Sequence, residues 1–243
     1  MEIYGETHTG KVRETNQDTC AFEILPGECC FAIVCDGMGG TKGGDTASNM
    51  ASQIVKNEII KNYNKSMDEN RFSGLLIHAI TLANKEIFKA AHSEENLAGM
   101  GTTIVAAAIK DEVLHVAHVG DSRAYLIKNK SMDKITNDHS IVQEMLEKGS
   151  ITEDEASKHP QKNLITRALG IDCDVVVDYK AHKISINDLC LLCSDGLTNL
   201  VSDNDILKII QNKDLQTAVK DLIDKANNNG GNDNITAVLI RAN

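Results

Sequence analysis

At 243 residues and 42% hydrophobic content, the chain has the size of one α/β domain. A chain of that length buries roughly three quarters of its unfolded surface and folds without a disulfide or a structural metal. The formal charge of −10 and pI of 5.2 argue against nucleic acid or a membrane surface as partner.

With two prolines and no repeat, low-complexity tract or linker, residues 1–243 read as a single domain. The opening Met1-Glu2-Ile3-Tyr4-Gly5-Glu6 lacks the basic head and apolar core of a signal peptide. Cys29-Cys30-Phe31-Ala32-Ile33-Val34-Cys35 is a continuous apolar run ending in Asp36 and a glycine-rich turn, the pattern of a buried strand. From Ala47 the apolar positions Met50, Ala51, Ile54, Val55 and Ile59 form a helical stripe. A second stripe follows at Phe72, Leu75, Leu76, Ala79, Ala83, Ile87 and Ala90. Strands are expected at 103–109, 113–119 and 124–127, joined by short polar links as in antiparallel hairpins. The stretch 141–164 is polar, helical in its first half, and reads as a surface excursion ending near His159-Pro160. Strands return at 175–179 and 189–193, then a helix carrying Leu215, Ala218, Val219, Leu222, Ile223 and Ala226, and a last strand at 235–240. These elements predict an α+β fold in which sheets pack together with helices outside.

The apolar runs fall far short of the roughly 20 residues of a membrane-spanning helix. The seven cysteines show no disulfide-scaffold spacing, so a reducing, cytoplasmic setting is expected. Cys190 and Cys193, three apart on a strand, point to opposite faces and read as small buried hydrophobes. His115 and His118 are likewise expected on opposite faces.

Four aspartates recur in one local setting, a strand end beside glycine: Asp36 before Gly37, Asp121 after Gly120, Asp195 before Gly196, and Asp233 after Gly230-Gly231-Asn232. Asp18 adds a fifth. Glycine allows close backbone approach, so that a carbonyl as well as a carboxylate can face one point. Carboxylates and carbonyls without neighbouring His or Cys select hard cations, Mg²⁺ or Mn²⁺ rather than Zn²⁺. Several aspartates in one cleft repel each other and call for more than one ion. Two metals roughly 3.5–4 Å apart can activate water for an in-line displacement at phosphorus. Phosphate-monoester hydrolysis needs such help, because enzymes accelerate it by factors of up to ~10²¹.

The ordered motifs R-x-x-N-Q-D at 13–18, D-G-M-G-G at 36–40, G-T-T at 101–103, G-D-S-R at 120–123, D-H-S at 138–140, T-R-A-L-G at 166–170, S-D-G-L at 194–197 and G-G-N-D-N-I-T at 230–236 resemble, from end to end, the bacterial members of the PP2C (PPM) family of metal-dependent protein serine/threonine phosphatases. The resemblance implies a central β-sandwich of two antiparallel sheets flanked by helix pairs, in four α-β-β-α layers. It implies that Asp36 bridges two core metals, that the Gly37 carbonyl binds one of them, and that Asp195 and Asp233 hold the other. Asp18 would act on the first site, Asp121 with Asp195 would form a third, weaker site, and Arg13 would clamp the substrate phosphate with its planar fork. The excursion at 141–164 matches the family's flap, expected to be mobile and to affect substrate choice. The implied reaction is hydrolysis of phosphoserine and phosphothreonine by a water or hydroxide activated between two Mn²⁺ or Mg²⁺ ions, without a phosphoenzyme. Substrates would be phosphoproteins, including a bacterial Ser/Thr protein kinase, and the enzyme would be a monomer. Met38 stands where many eukaryotic members have a histidine proposed as general acid. A thioether has no proton to give, so another group or water must serve. Gln17 stands where they often carry a glutamate.

Other readings fit less well. No cysteine has an arginine six positions on, which excludes the Cys-x5-Arg phosphatases. Asp172-Cys173-Asp174-Val175-Val176 has the letters of a haloacid-dehalogenase motif, but its apolar strand follows instead of preceding. The glycines at 37–44 lack the Gly-Lys-Ser/Thr ending of a P-loop. A two-metal nuclease would need a basic groove. The remaining alternative is a catalytically weak, partner-binding pseudo-phosphatase, which would be expected to have lost metal aspartates that this chain retains.

Overall fold

The apolar runs become strands buried on both faces, and each face packs against a different layer. The structure is a computed structural model that describes residues 1–243, the side chains at 40–42 and 157 excepted. In β3 (Cys29–Met38), Cys29, Phe31, Ile33 and Cys35 face one hydrophobic cluster, while Cys30, Ala32 and Val34 face another. That alternation places β3 between a helical layer and a second sheet.

One sheet runs in the order β2 (Asp18–Leu25), β3, β5 (Ile104–Lys110), β6 (Val113–Val119), β9 (Asp178–Lys183), with the two-residue β4 (Gly101–Thr102) beside the end of β3. The other runs β1 (Glu2–His8), β11 (Ile235–Arg241), β10 (Leu189–Cys193), β7 (Arg123–Lys128), β8 (Ser131–Lys134). Every pairing in both sheets is antiparallel. Helices α1 (Gly40–Asn62) and α2 (Glu69–Ser93) bury Val55, Ile59, Phe72, Leu76 and Ile80 against the first sheet. Val34, Val105, Leu126, Leu192 and Val238 fill the space between the sheets. Past the short α3 (Ile141–Glu147), α4 (Glu153–Lys158) and α5 (Asp195–Thr198), helices α6 (Asp203–Ile210) and α7 (Leu215–Asn228) cover the second sheet through Ile206, Leu215, Val219 and Leu222. The result is the four-layer α-β-β-α sandwich of two antiparallel sheets that the resemblance implied. Among the described residues no helix is long and apolar enough to cross a membrane.

Cys190 lies in the inter-sheet cluster and Cys193 in the helix-facing one, on opposite faces as expected. His115 packs edge-on against Phe72 of α2, while His118 stacks on His139.

Three sequence expectations shift. The strand expected at 175–179 begins only at Asp178: Val175 and Val177 pack sideways into the helix-facing cluster, and Arg167 Nη1 takes the Val176 carbonyl at 3.0 Å, so that backbone serves a side chain instead of a neighbouring strand. Helix α1 starts seven residues before Ala47, at Gly40. Glycine makes that start possible: a Cβ on Gly37 would lie 2.1 Å from the Gly44 carbonyl oxygen, so the end of β3 can touch the first turns of the helix. The excursion at 141–164 is helical beyond its first half, in both α3 and α4, and closes at its base through Ile141 N–H to Leu164 O and the Ser140–Ile165 bridge.

Leu192 is fully buried between the sheets, so Leu192→Ala lowers unfolding free energy by about 2–5 kcal/mol. Ile60, 44% exposed on α1, should tolerate the same change within about 0.5 kcal/mol. Urea denaturation of the two variants checks both values.

Candidate metal centre

The aspartates gather at one end of the sandwich because the strands that carry them end there. Asp18 opens β2 and stands opposite Asp36 in the antiparallel register with β3. The Asp36 backbone is fixed by the G-T-T segment: its N–H donates to Thr103 Oγ1 (3.1 Å), and its carbonyl accepts from Thr103 N–H (2.9 Å) and Thr102 Oγ1 (2.9 Å). Thr103 Oγ1 is itself 2.7 Å from Ser122 Oγ, next to Asp121. Asp195 begins α5 immediately after β10, and Asn199 Nδ2 holds its Oδ2 at 3.0 Å. Asp233 lies in the turn before β11. A Cβ on Gly196 would fall 1.9 Å from the Asn234 carbonyl oxygen, so only glycine lets the Asp195 and Asp233 turns come into contact.

Asp36, Gly37, Asp121, Asp195 and Asp233 line one cleft of about 620 Å³, with Arg13, Met38 and Gln17 on its wall. Asp18 lies beneath it, 5% exposed. All seven sequence-predicted residues therefore meet at one place. Arg13 stands at the mouth with its side chain 54% exposed and donates from Nη2 to Asp233 Oδ2 at 2.8 Å.

The electrostatics are those of like charges crowded together out of water. Burial first, and then the charges of Asp195 and Asp233, push the Asp18 carboxyl up to about 7. Burial and then Asp195 push Asp121 to about 7. Asp36 is held well above the usual carboxylate range by burial and then by Asp18 and Asp195, and Asp195 is raised by burial and then by Asp233. Among the described residues, Asp18 Oδ1 is buried with no hydrogen-bond partner. Nearby Arg123 is committed to Asp138, at 2.7 Å. Buried carboxylates in this state cost several kcal/mol each unless a cation compensates them. An all-oxygen donor set with an orphaned carboxylate oxygen fits hard divalent ions.

A second group, His118, His139 and Asp178, brings potential ligand atoms within 4.8 Å of one another. It is a structural tie. His139 Nδ1 accepts from Gly120 N–H at 3.0 Å, which leaves the ring proton on Nε2. The Arg167 guanidinium sits 3.1 Å from Nε2 and 2.7 Å from Asp178 Oδ1, where a metal cation would have to go.

The sequence profile of the family described as protein phosphatase 2C matches residues 5–239. The chain belongs to that family. It is 40% identical over its whole length to the serine/threonine phosphatase stp of Listeria innocua, of which it covers 96%. The structure of the S. agalactiae serine/threonine phosphatase superposes with a TM-score of 0.93 at 34% identity, covering 100% of this chain and 99% of that one. The catalytic domain of the serine/threonine protein phosphatase PstP, solved in complex with two manganese ions, superposes with a TM-score of 0.85 at 31% identity, covering 98% of this chain and 96% of that one. A divalent-metal-dependent hydrolase is thus the chemistry of the family to which the carboxylate cleft belongs.

The sequence placed Asn234 in the G-G-N-D-N-I-T motif but gave it no role. This residue, 6% exposed, donates from Nδ2 to the carbonyls of Thr9 and Thr15 (2.9 Å each) and accepts Gln17 N–H on Oδ1 (2.8 Å). It ties the loop carrying Arg13 to the turn carrying Asp233. Its signal in the sequence, an Asn beside a metal-type Asp, is indistinguishable from an ordinary turn.

If the carboxylates repel one another until cations bind, Mn²⁺ at about 100 times its dissociation constant stabilises the wild type by about 2.7 kcal/mol, which raises Tm by about 5–10 °C. Asp36→Asn removes one of the crowded carboxyls. In EDTA it should melt no lower than wild type, and Mn²⁺ should raise its Tm far less. Differential scanning calorimetry of both proteins, with and without Mn²⁺, checks this.

Proposed function

We propose that this chain hydrolyses phosphoserine and phosphothreonine esters on proteins, with Asp18, Asp36, the Gly37 carbonyl, Asp195 and Asp233 holding two divalent ions and Arg13 receiving the phosphoryl group. The observation that carries the reading is the convergence of Asp36, Asp195 and Asp233 in one cleft, with Asp18 buried beneath it and an arginine at its mouth. When bound, the ions supply an activated water and neutralise charge on the phosphoryl oxygens. The protein's own residues do the rest. The two-strand register of Asp18 with Asp36 and the contact of the Asp195 and Asp233 turns fix the carboxylates before substrate arrives, so that little reorganisation remains at the reaction step. Arg13 offers a planar fork of five N–H donors, and Asp233 orients it by taking one. Met38 lines the cleft, and its thioether has no proton for the leaving serine or threonine oxygen.

The preferred ions are Mn²⁺ or Mg²⁺, and Asp121 with Asp195 forms a third, weaker site. Residues 1–243 act as one phosphatase domain, in which the excursion at 141–164 is the flap. An adjoining cleft of about 950 Å³ runs beneath this excursion and shares Asp121, Asn163 and Asp195 with the metal cleft. That continuity supports a role for the flap in admitting the polypeptide on either side of the phosphorylated residue. The physiological substrates are phosphoproteins, a Ser/Thr protein kinase among them, met in the cytoplasm by a monomeric enzyme. Nucleic acid and membrane are not partners. The relatives named as phosphatases, together with the complete set of aspartates, weigh against a pseudo-phosphatase.

The test is release of inorganic phosphate from a phosphothreonine peptide across a Mn²⁺ titration, with an EDTA-treated control. Saturable, metal-dependent release is expected, and folded protein that releases none at any Mn²⁺ or Mg²⁺ concentration would overturn the reading. In the same assay Arg13→Ala should lose about 1.5–3 kcal/mol of charge-assisted hydrogen bonding, a fall of about tenfold to a hundredfold in kcat/KM expressed mainly through KM.

A further inference from the structure

Building on the proposed metal-holding role of Asp18, we infer that Ser194 and Thr236 are positioning residues for metal binding: their hydroxyls fix one oxygen of Asp18 and present the other to the cation. Ser194 Oγ and Thr236 Oγ1 each donate to Asp18 Oδ2 at 2.7 Å, and both residues are fully buried. Among the described residues Asp18 Oδ1 has no partner, and it is equally cut off from solvent. The two oxygens of one carboxylate are therefore treated in opposite ways. One is held by two donors, and the other faces no donor among the described residues and is left for a ligand.

The direction of these hydrogen bonds is forced. The Ser194 hydroxyl oxygen accepts Thr236 N–H at 3.0 Å and gives its one proton to Asp18 Oδ2, since an ionised carboxylate oxygen can only accept. Thr236 Oγ1 spends its proton on Asp18 and so accepts from Thr7 Oγ1 at 2.7 Å. Thr7 Oγ1 in turn accepts from Asn16 Nδ2 at 2.9 Å, and Asn16 Oδ1 accepts the Asp18 N–H at 3.2 Å. The result is a closed ring, from Asp18 N–H through Asn16, Thr7 and Thr236 back to Asp18 Oδ2. It draws on β1, the loop after it, β2 and β11. Ser194, at the end of β10, clamps the same oxygen from outside the ring. With every proton assigned, the Asp18 side chain has one orientation. An interaction of this kind behind a metal ligand is typically worth about 10–100-fold in metal affinity.

Thr236→Val keeps the shape of the side chain and deletes the hydroxyl, whereas Thr236→Ser keeps the hydroxyl. Isothermal titration of Mn²⁺ into the metal-free full-length chain, beside Ser194→Ala and Asp18→Asn, separates the possibilities. The expected result is a Mn²⁺ dissociation constant raised about tenfold or more in Thr236→Val and in Ser194→Ala, but within about threefold of wild type in Thr236→Ser. A hydroxyl that served only folding would lower the melting temperature of Thr236→Val and leave its Mn²⁺ isotherm on that of wild type, which would overturn the inference. Should Thr236→Val fail to fold, Ser194→Ala alone decides by the same criterion. Asp18→Asn binding Mn²⁺ as wild type does would instead overturn the metal-holding role of Asp18, on which the inference stands.

Discussion

Like charges held together in a buried cleft are the constraint around which the rest of this molecule is arranged. Left to itself, a chain would separate Asp18, Asp36, Asp121 and Asp195, whose carboxyls are all pushed upward by burial and by one another. The antiparallel ladders prevent that. A β-sandwich with two filled apolar faces per sheet supplies hydrophobic burial throughout, and the strand ends inherit positions they could not have chosen. The scaffold stores an unfavourable arrangement that cations bound in the proposed site would relieve. Stability given up at a site is the usual mark of function.

The ties around the cleft follow from the same constraint. Groups with no charge of their own hold four of the segments that carry these carboxylates: Thr102 and Thr103 on the Asp36 backbone, Ser194 and Thr236 on Asp18, Asn199 on Asp195, and Asn234 between the Arg13 loop and the Asp233 turn, where Arg13 adds an ion pair. Neutral donors fix geometry without cancelling the negative charge that the proposed metal site requires. Of the nearby cationic side chains only Arg13, among the described residues, pairs with a cluster carboxylate, Asp233. Arg13 stays at the mouth, Arg123 is taken up by Asp138, and Arg167 by Asp178 and the Val176 carbonyl.

Much of this was legible in the sequence, and the remainder was hidden for physical reasons. Continuous apolar runs such as 29–35 and the helical stripes of α1 and α2 announced the layers, because burial on two faces or on one leaves a period in the residues. The aspartates announced themselves through the glycines beside them, which only close backbone approach requires. Strands β1 and β2 left no such trace, since most of their residues are only partly covered. With β2 unseen, the pairing that sets Asp18 opposite Asp36 was invisible too. Helix α6 is only eight residues long. Val175 and Val177 misled because apolar β-branched residues also anchor loops. The hydroxyls of Ser194 and Thr236 and the amide of Asn234 sat inside recognised motifs, yet their partners are up to 225 residues away, and no local pattern encodes that distance.

The central claim is that divalent ions complete the carboxylate cluster, and anomalous diffraction from crystals grown with Mn²⁺ tests it most directly. The account predicts two strong manganese peaks in the cleft, bounded by Asp18, Asp36, Asp195 and Asp233. An empty cleft in such crystals, or manganese found only beside His118, His139 and Asp178, would contradict it.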